Sequence, residues 1–347
     1  MPKLWKKTGR AKSNKGLEPV DLSKLTINRP TVIYFPGQLA QDVNQTEISK
    51  GINYVKGLFS DLACLPIVYS WSRPDRNTRI TSDLSSLFYA TACNRILDPG
   101  TLSSVRSLAK GLIMPLVSDA EGKPLPFDKA QKNLRKLTFF AHCVGTVDAD
   151  ELHDAAMKMM KKIGYKTEEA HKLLHEIVLV TVGPLSRPEK EDNRYTTISF
   201  VNYDDRIINR KEWALNPLHR LSSLHNNFSK ASRSLKIKQL SDTSILVTAT
   251  ARGARQDRSK KIQEEVIDNV RLPRWSKKAL NHLLEDYGVN ADSKSSQLAG
   301  MAQNALINAV KRKETLKPSQ LLETPAITLE TEEKKVYQQR MSQALGV

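Results

Sequence analysis

Hydrophobic residues along this chain follow two repeating patterns. Short, nearly continuous apolar runs at residues 31–35, 66–71, 137–141, 177–182, 196–203 and 244–250 predict strands, because a strand covered on both faces has no polar side. Apolar residues spaced by threes and fours predict helices at residues 42–65, 151–163, 168–175 and 297–313. Strands that alternate with helices are typical of a doubly wound, mostly parallel sheet, so the predicted fold class is α/β.

The remaining segments predict the domain organisation. Residues 1–25 are basic and rich in Lys, Gly and Ser, so we expect a loosely ordered arm that adds nothing to the core. Residues 26–290 hold the alternating elements, with residues 209–240 as mixed helix and loop. The looser pattern of residues 72–136 is interpreted either as a lid over a site or as the crossover that parallel strands require. Residues 291–347 are expected to form a helical C-terminal extension with a mobile acidic tail.

The positive charge of the chain is concentrated in three segments. The 347 residues include 54 Lys and Arg against 37 Asp and Glu, a net charge of +17. Residues 1–25, 206–238 and 251–278 together account for all of this excess. Such patches favour an anionic partner, namely a phospholipid surface, a phosphorylated substrate or nucleic acid, although solvated helix faces explain them equally well. Nucleic acid is the weakest of the three, because the sequence has no zinc-finger spacing and no RNP motif.

Cysteine usage and hydropathy predict the compartment. Cys64, Cys93 and Cys143 form no disulfide framework and no C-x-x-C pair, which is typical of a protein in the reducing cytoplasm. No apolar run approaches the roughly 20 residues that cross a bilayer, and the basic start lacks the apolar stretch of a signal peptide. We also expect no metal and no nucleotide cofactor, since the sequence shows neither a metal-ligand cluster nor a Gly-rich phosphate loop.

The strongest chemical signal is the stretch of residues 137–150. An apolar strand ends at Ala141, Cys143 follows at a sharp turn, and a helix is predicted from Glu151 with Asp148 or Asp150 as its cap. A cysteine at a strand-to-helix turn faces the positive end of the helix dipole, which favours the thiolate. This is the position of a nucleophile, and inert burial of the thiol is the alternative.

Two classes of cysteine enzyme do not match the residues around Cys143. Cysteine phosphatases require His-Cys-x5-Arg, but the arginine position is Ala149, and Asp148 beside it would repel a phosphate. Caspase-like proteases require a histidine well upstream of the cysteine, and this chain has none before His142.

The pentapeptide Ala141-His142-Cys143-Val144-Gly145 resembles the G-x-S-x-G nucleophile elbow of the α/β-hydrolase fold, with Ala for the first Gly and Cys for Ser. Cysteine variants of this elbow occur in its dienelactone-hydrolase-like branch. The order of other features is also similar to the family's order. Pro36-Gly37-Gln38 follows an early strand in the place of the oxyanion loop, and Asp204 or Asp205 follows a later strand in the place of the acid. The resemblance extends over residues 31–287.

The resemblance implies a set of site residues, namely a catalytic triad of Cys143, His282 and Asp205 with an oxyanion hole from the N–H groups of Val144 and of Gly37 or Gln38. The histidine departs from the family pattern, since the loop at residues 251–261 contains none. His282 is the first histidine after the last strand, and an ordinary position on a helix face is the alternative. For Asp204-Asp205 the alternative is a helix cap or turn.

The C-terminal tail carries a second resemblance. The acidic cluster at residues 330–333, followed by a polar stretch and by Leu345 near the end, is similar to the translocation signal of type IVB (Dot/Icm) secreted effectors of intracellular bacteria. It implies a protein made in the bacterial cytoplasm and translocated into a host cell. A disordered acidic tail without this role is the alternative.

These observations support two main function hypotheses. The first is an acyl hydrolase, acting on an ester or thioester of a small acyl or lipid-like substrate. The second is a hydrolase-fold effector that has lost catalysis and binds a host protein or an anionic membrane. The elbow favours the first hypothesis, and the missing histidine after the last strand favours the second.

Overall fold

The computed structural model of the chain describes residues 3–7, 17–37, 45–59, 65–70, 105–143, 145–184, 194–202, 236–249 and 297–323. Nine strands in these ranges form a single sheet. They are β1 Lys3–Lys7, β2 Leu17–Val20, β3 Thr31–Phe35, β4 Leu65–Ser70, β5 Leu137–His142, β6 Val178–Val182, β7 Thr196–Asn202, β8 Lys236–Ser241 and β9 Ser244–Ala249.

The centre of the sheet is parallel, which confirms the predicted α/β class. Six neighbouring strands run parallel in the order β4-β3-β5-β6-β7-β9. At one edge β1 pairs antiparallel with β4, and β2 pairs antiparallel with β1. At the other edge β8 pairs antiparallel with β9. β3, β5 and β6 are buried along their whole length, as their apolar runs predict.

The strand order reverses between β3 and β5. From β3 the chain passes to β4 on one side, and it then returns to place β5 on the other side of β3. In open parallel sheets a crevice forms at such a reversal, outside the carboxyl ends of the two strands, and ligands bind there. The topology alone therefore predicts a ligand-binding crevice beside the residues that follow Phe35 and His142.

Helices cover both faces of the sheet. They are α1 Gln45–Leu58, α2 Met114–Val117, α3 Phe127–Leu134, α4 Gly145–Ile163, α5 Thr167–Leu174, α6 Gln297–Lys311 and α7 Pro318–Leu321. One face packs against α2 to α5, and the other packs against α1, α6 and α7. Successive strand residues point to opposite faces, so Ile33 and Phe139 join the first core while Tyr34 and Phe140 join the second.

Residues 105–117 form one helical stretch that includes a wider π turn at Ala109–Ile113. The N–H of Met114 donates to the carbonyl of Ala109, five residues back. Pro115 has no N–H to continue the ordinary ladder, which explains the irregularity at this point. Apolar side chains of this stretch and of α3 are buried in the core. In the segment predicted as a lid or a crossover, residues 105–136 thus pack against the sheet, and residues 72–104 lie outside the described residues.

Several elements differ from the sequence-based expectations. The segment expected to be a loosely ordered arm contains β1 and β2, and the side chains of Val20 and Leu22 pack against the core. β8 lies in the segment predicted as mixed helix and loop, because a Lys-rich edge strand lacks the apolar run of a central strand. The helix after Cys143 begins at Gly145 and not at Glu151, so Asp148 lies inside α4, where it is buried, and does not cap it.

A candidate active site at the strand-to-helix turn

Cys143 occupies a strained turn at the carboxyl end of β5. Its φ angle is +53°, and no other non-glycine residue in the described ranges has a positive φ. For a residue with a Cβ this conformation costs roughly 1–3 kcal/mol, so the surroundings must hold it in place. A turn of this kind between a strand and a helix is what the nucleophile elbow requires.

Hydrogen bonds on both sides of Cys143 hold the turn. Its N–H donates to the carbonyl of Val182 on β6 at 3.3 Å. Its carbonyl accepts from the N–H of Thr146 at 3.2 Å and from the Thr146 hydroxyl at 2.7 Å. The strained residue is thus anchored to the neighbouring strand and to the first turn of α4. These hydrogen bonds hold the backbone of Cys143 in place.

Gly145 allows the start of α4 to lie against the end of β3. A Cβ at this position would collide with the carbonyl oxygen of Phe35, and it would lie 2.6 Å from the carbonyl carbon of Phe35 and 2.8 Å from the carbonyl oxygen of Pro36. The obstacles are backbone atoms, which cannot rotate away. Glycine is therefore required by this close approach and not by its own backbone angles.

Gly37 brings the end of β3 next to Cys143. A Cβ on Gly37 would lie 3.2 Å from Cβ of Cys143 and 2.8 Å from Nδ1 of His142. Two of the residues predicted for the site, Gly37 and Cys143, are therefore in contact at the reversal of strand order. Their neighbourhood is closed, since Cys143 is fully buried and His142 is 8% exposed.

The sequence-based prediction assigns four more residues to the site. Gln38, Val144, Asp205 and His282 all lie outside the described residues. β7 ends at Asn202, on the same side of the sheet as Cys143, where the parallel strands have their carboxyl ends. β7 is two strands away from β5.

His142 lies directly beside Cys143 and close to Gly37. It is the last residue of β5, and it pairs in register with Val182 on β6. Its ring lies close to Gly37. The two residues are about a hundred positions apart in the sequence. The sequence signal for it was its place directly before the cysteine at a strand end.

A second buried histidine lies away from this turn. His153, on α4, is 3% exposed, and its Nδ1 lies 3.2 Å from Oδ1 of Asp154. Its ring meets Tyr195 edge to face at 5.2 Å, and the ring of His171 lies 5.9 Å away. This ring cluster packs α4 and α5 together at the start of β7, as is common for a buried aromatic group.

A polar network lies at the other end of the central strands, near the amino ends of β5 and β6. The carboxylate of Glu176 accepts from Arg135 at 2.8 Å, from Gln131 at 2.6 Å and from the hydroxyl of Thr315 at 2.8 Å. Burial alone would raise the pKa of Glu176, but these hydrogen bonds outweigh it and lower the pKa. The network links α3 and the residues just before β5 and β6 to the segment after α6.

Arg312 lies next to this network with its charged group enclosed. Within the described part of the chain, Nε and both Nη atoms of Arg312 are buried, and no hydrogen-bond acceptor is within reach of them. Burial lowers the pKa of Arg312 to about 10, an effect that nearby Glu176 opposes and Arg135 reinforces. A guanidinium in this position costs folding free energy, since its donors have lost water without gaining partners.

Neither a metal-binding cluster nor a helix suited to crossing a bilayer occurs in the described ranges. No group of three or more His, Cys, Asp or Glu side chains is arranged to hold a metal ion there. In the same ranges, none of the helices has the length and apolar character needed to cross a bilayer.

Comparison with known proteins gives no family for this chain. No protein-family model matches the sequence, and no curated protein matches it either.

Proposed function

We propose that the chain is an acyl hydrolase of the α/β-hydrolase type, in which Cys143 is the nucleophile. The observation that carries the proposal is the strained turn of Cys143, held between Gly37 and Gly145 at the reversal of strand order. A fold maintains such a conformation at a cost, and sites of function are where strain of this kind concentrates. The crevice position of the turn adds support, because open α/β sheets bind ligands there.

The chemistry would be acyl transfer through a thioester intermediate. The thiolate of Cys143 attacks the acyl carbon of an ester or thioester, the alcohol or thiol leaves, and water releases the acid. The N–H groups at the start of α4 and at the end of β3 would stabilise the charge on the acyl oxygen. In the family pattern, Asp205 would orient His282 and His282 would take the proton of Cys143.

The first experiment measures hydrolysis and acylation together. The full chain is incubated with p-nitrophenyl acetate, butyrate and palmitate and with the matching thioesters, and Cys143 is examined for an acyl adduct by mass spectrometry. We expect turnover to fall at least about a hundredfold in Cys143→Ala, because the nucleophile is lost. Cys64→Ser is the matched control and should keep the original rate. Equal turnover in Cys143→Ala and the unmodified chain would reject the proposal.

A second candidate function follows from the full burial of Cys143. A thiol without access to solvent suits a hydrolase fold that no longer catalyses and that serves as a translocated effector, binding a host protein or an anionic membrane. The basic segments and the acidic C-terminal cluster support this candidate. Flotation with vesicles of phosphatidylserine, compared with vesicles of phosphatidylcholine, tests the membrane version. Flotation with neither vesicle would reject it.

A further inference from the structure

The charged group of Arg312 is buried without a partner. Its Nε and both Nη atoms, which carry all the N–H donors of the side chain, lie out of reach of solvent, and none of them meets a hydrogen-bond acceptor among the residues that the structure describes. Native proteins pair nearly all buried polar groups, so an unpaired one indicates a bound ion or water. Water can accept from these donors but cannot neutralise the charge, whereas an anion does both.

Arg312 lies at the amino ends of the central strands, away from Cys143. It follows the last residue of α6, and its own N–H donates to the carbonyl of Asn308 at 3.0 Å, which holds its backbone in the final turn of that helix. Three residues further on, the hydroxyl of Thr315 donates to the carboxylate of Glu176 at 2.8 Å, just before β6. This position is therefore separate from the turn of Cys143, which lies at the carboxyl ends of the same strands.

Arg312, Arg135 and Glu176 together carry a net positive charge. Glu176 already accepts from Nε of Arg135 at 2.8 Å and from Gln131 at 2.6 Å, besides the hydroxyl of Thr315, and no nitrogen of Arg312 is among its donors. Glu176 and Arg135 are both near enough to Arg312 to shift its pKa, in opposite directions. Two guanidinium groups therefore share one carboxylate here, and these three groups together attract a further anion.

We infer that Arg312 binds a small oxyanion of the phosphate or carboxylate class at the amino ends of β5 and β6. The guanidinium is a planar fork whose parallel N–H groups match two oxygens of one anion, so an oxyanion pairs with it better than chloride does. The bound anion satisfies donors that folding has removed from water, and it thereby holds the segment after α6 against the sheet. This inference does not depend on the proposed acyl hydrolase.

The test is urea unfolding of the full chain, followed by circular dichroism, in sodium phosphate, sodium acetate and sodium chloride at equal ionic strength and neutral pH. A ligand that binds only the folded state raises the ratio of folded to unfolded chain, so we expect at least one of the two oxyanions, at about 50 mM, to raise this ratio about tenfold or more over chloride. Arg312→Met should abolish the rise. Lys313→Met, which removes a positive charge from the exposed neighbouring residue, is the matched control and should keep it. Arg312→Lys keeps the charge but lacks the fork, so most of the rise should disappear.

Three outcomes would overturn the inference. They are an equal ratio of folded to unfolded chain in all three salts, a rise that Arg312→Met retains, and a full rise in Arg312→Lys. A rise in phosphate alone or in acetate alone upholds the site and identifies the class of its anion. Circular dichroism of each variant without urea separates a lost site from a lost fold, and Arg312→Lys decides the test if Arg312→Met does not fold.

Discussion

Replacing Gly145 by alanine sets two physical effects against each other. Alanine favours a helix over glycine by about 1 kcal/mol, so propensity alone predicts a more stable chain. The new Cβ, however, would collide with the carbonyl group of Phe35 and lie 2.8 Å from the carbonyl oxygen of Pro36. Overpacking against groups that cannot rotate costs about 1–3 kcal/mol. We expect the collision to win, so the free energy of unfolding should fall by up to about 2 kcal/mol after the gain in propensity.

The chain offers matched controls for this substitution. Gly57 in α1 and Gly300 in α6 are also helical, and a Cβ on either would meet nothing within 4 Å. Gly57→Ala and Gly300→Ala should each raise stability by about 0.5–1 kcal/mol, because only propensity changes. Urea unfolding followed by circular dichroism measures all three variants. A stabilised Gly145→Ala variant would show that α4 does not press on the end of β3, and the described turn would then be incorrect.

Two further predictions concern the polar network at the amino ends of the strands. Arg312→Met keeps the length of the side chain but removes a buried charge without acceptors, so we expect stability to be unchanged or to rise by about 1–4 kcal/mol; a loss in urea unfolding would contradict this. Glu176→Gln should cost about 3 kcal/mol at neutral pH, because Arg135 is left without its carboxylate. Since folding lowers the pKa of Glu176, its contribution is present above the usual value of 4.5 and is lost as the pH falls below it. Acid unfolding of the variant should therefore depend less on pH in that range, and an identical pH dependence would rule out the role of Glu176.

The central strands were predictable from sequence because they bury both faces. β3, β5 and β6 are apolar throughout, and that pattern has few alternatives. β8 was not predictable in this way, since Lys236 and Lys238 interrupt its apolar pattern and its identity as a strand depends on pairing with β9.

The candidate site shows the same division between local and distant information. The turn at Cys143 follows from a short apolar strand and the glycine after it, both of which are local signals. The start of α4 was misplaced because Asp148 and Asp150 are favourable caps by local rules, whereas the real start depends on contact between Gly145 and β3. The ring of His142 lies close to Gly37, which is distant in sequence, so local sequence patterns do not predict this contact.

The place of α6 in the fold affects how the chain is made. This helix, Gln297–Lys311, covers β5, β6, β7 and β9, so the apolar side of these strands is complete only after residue 311. A nascent chain that ends earlier leaves Val180 and Phe200 without the layer that this helix provides. Contacts so far apart in sequence form late and slowly. During synthesis this part of the sheet therefore lacks its covering layer until residue 311 has emerged from the ribosome, and a chaperone can hold the chain in that period.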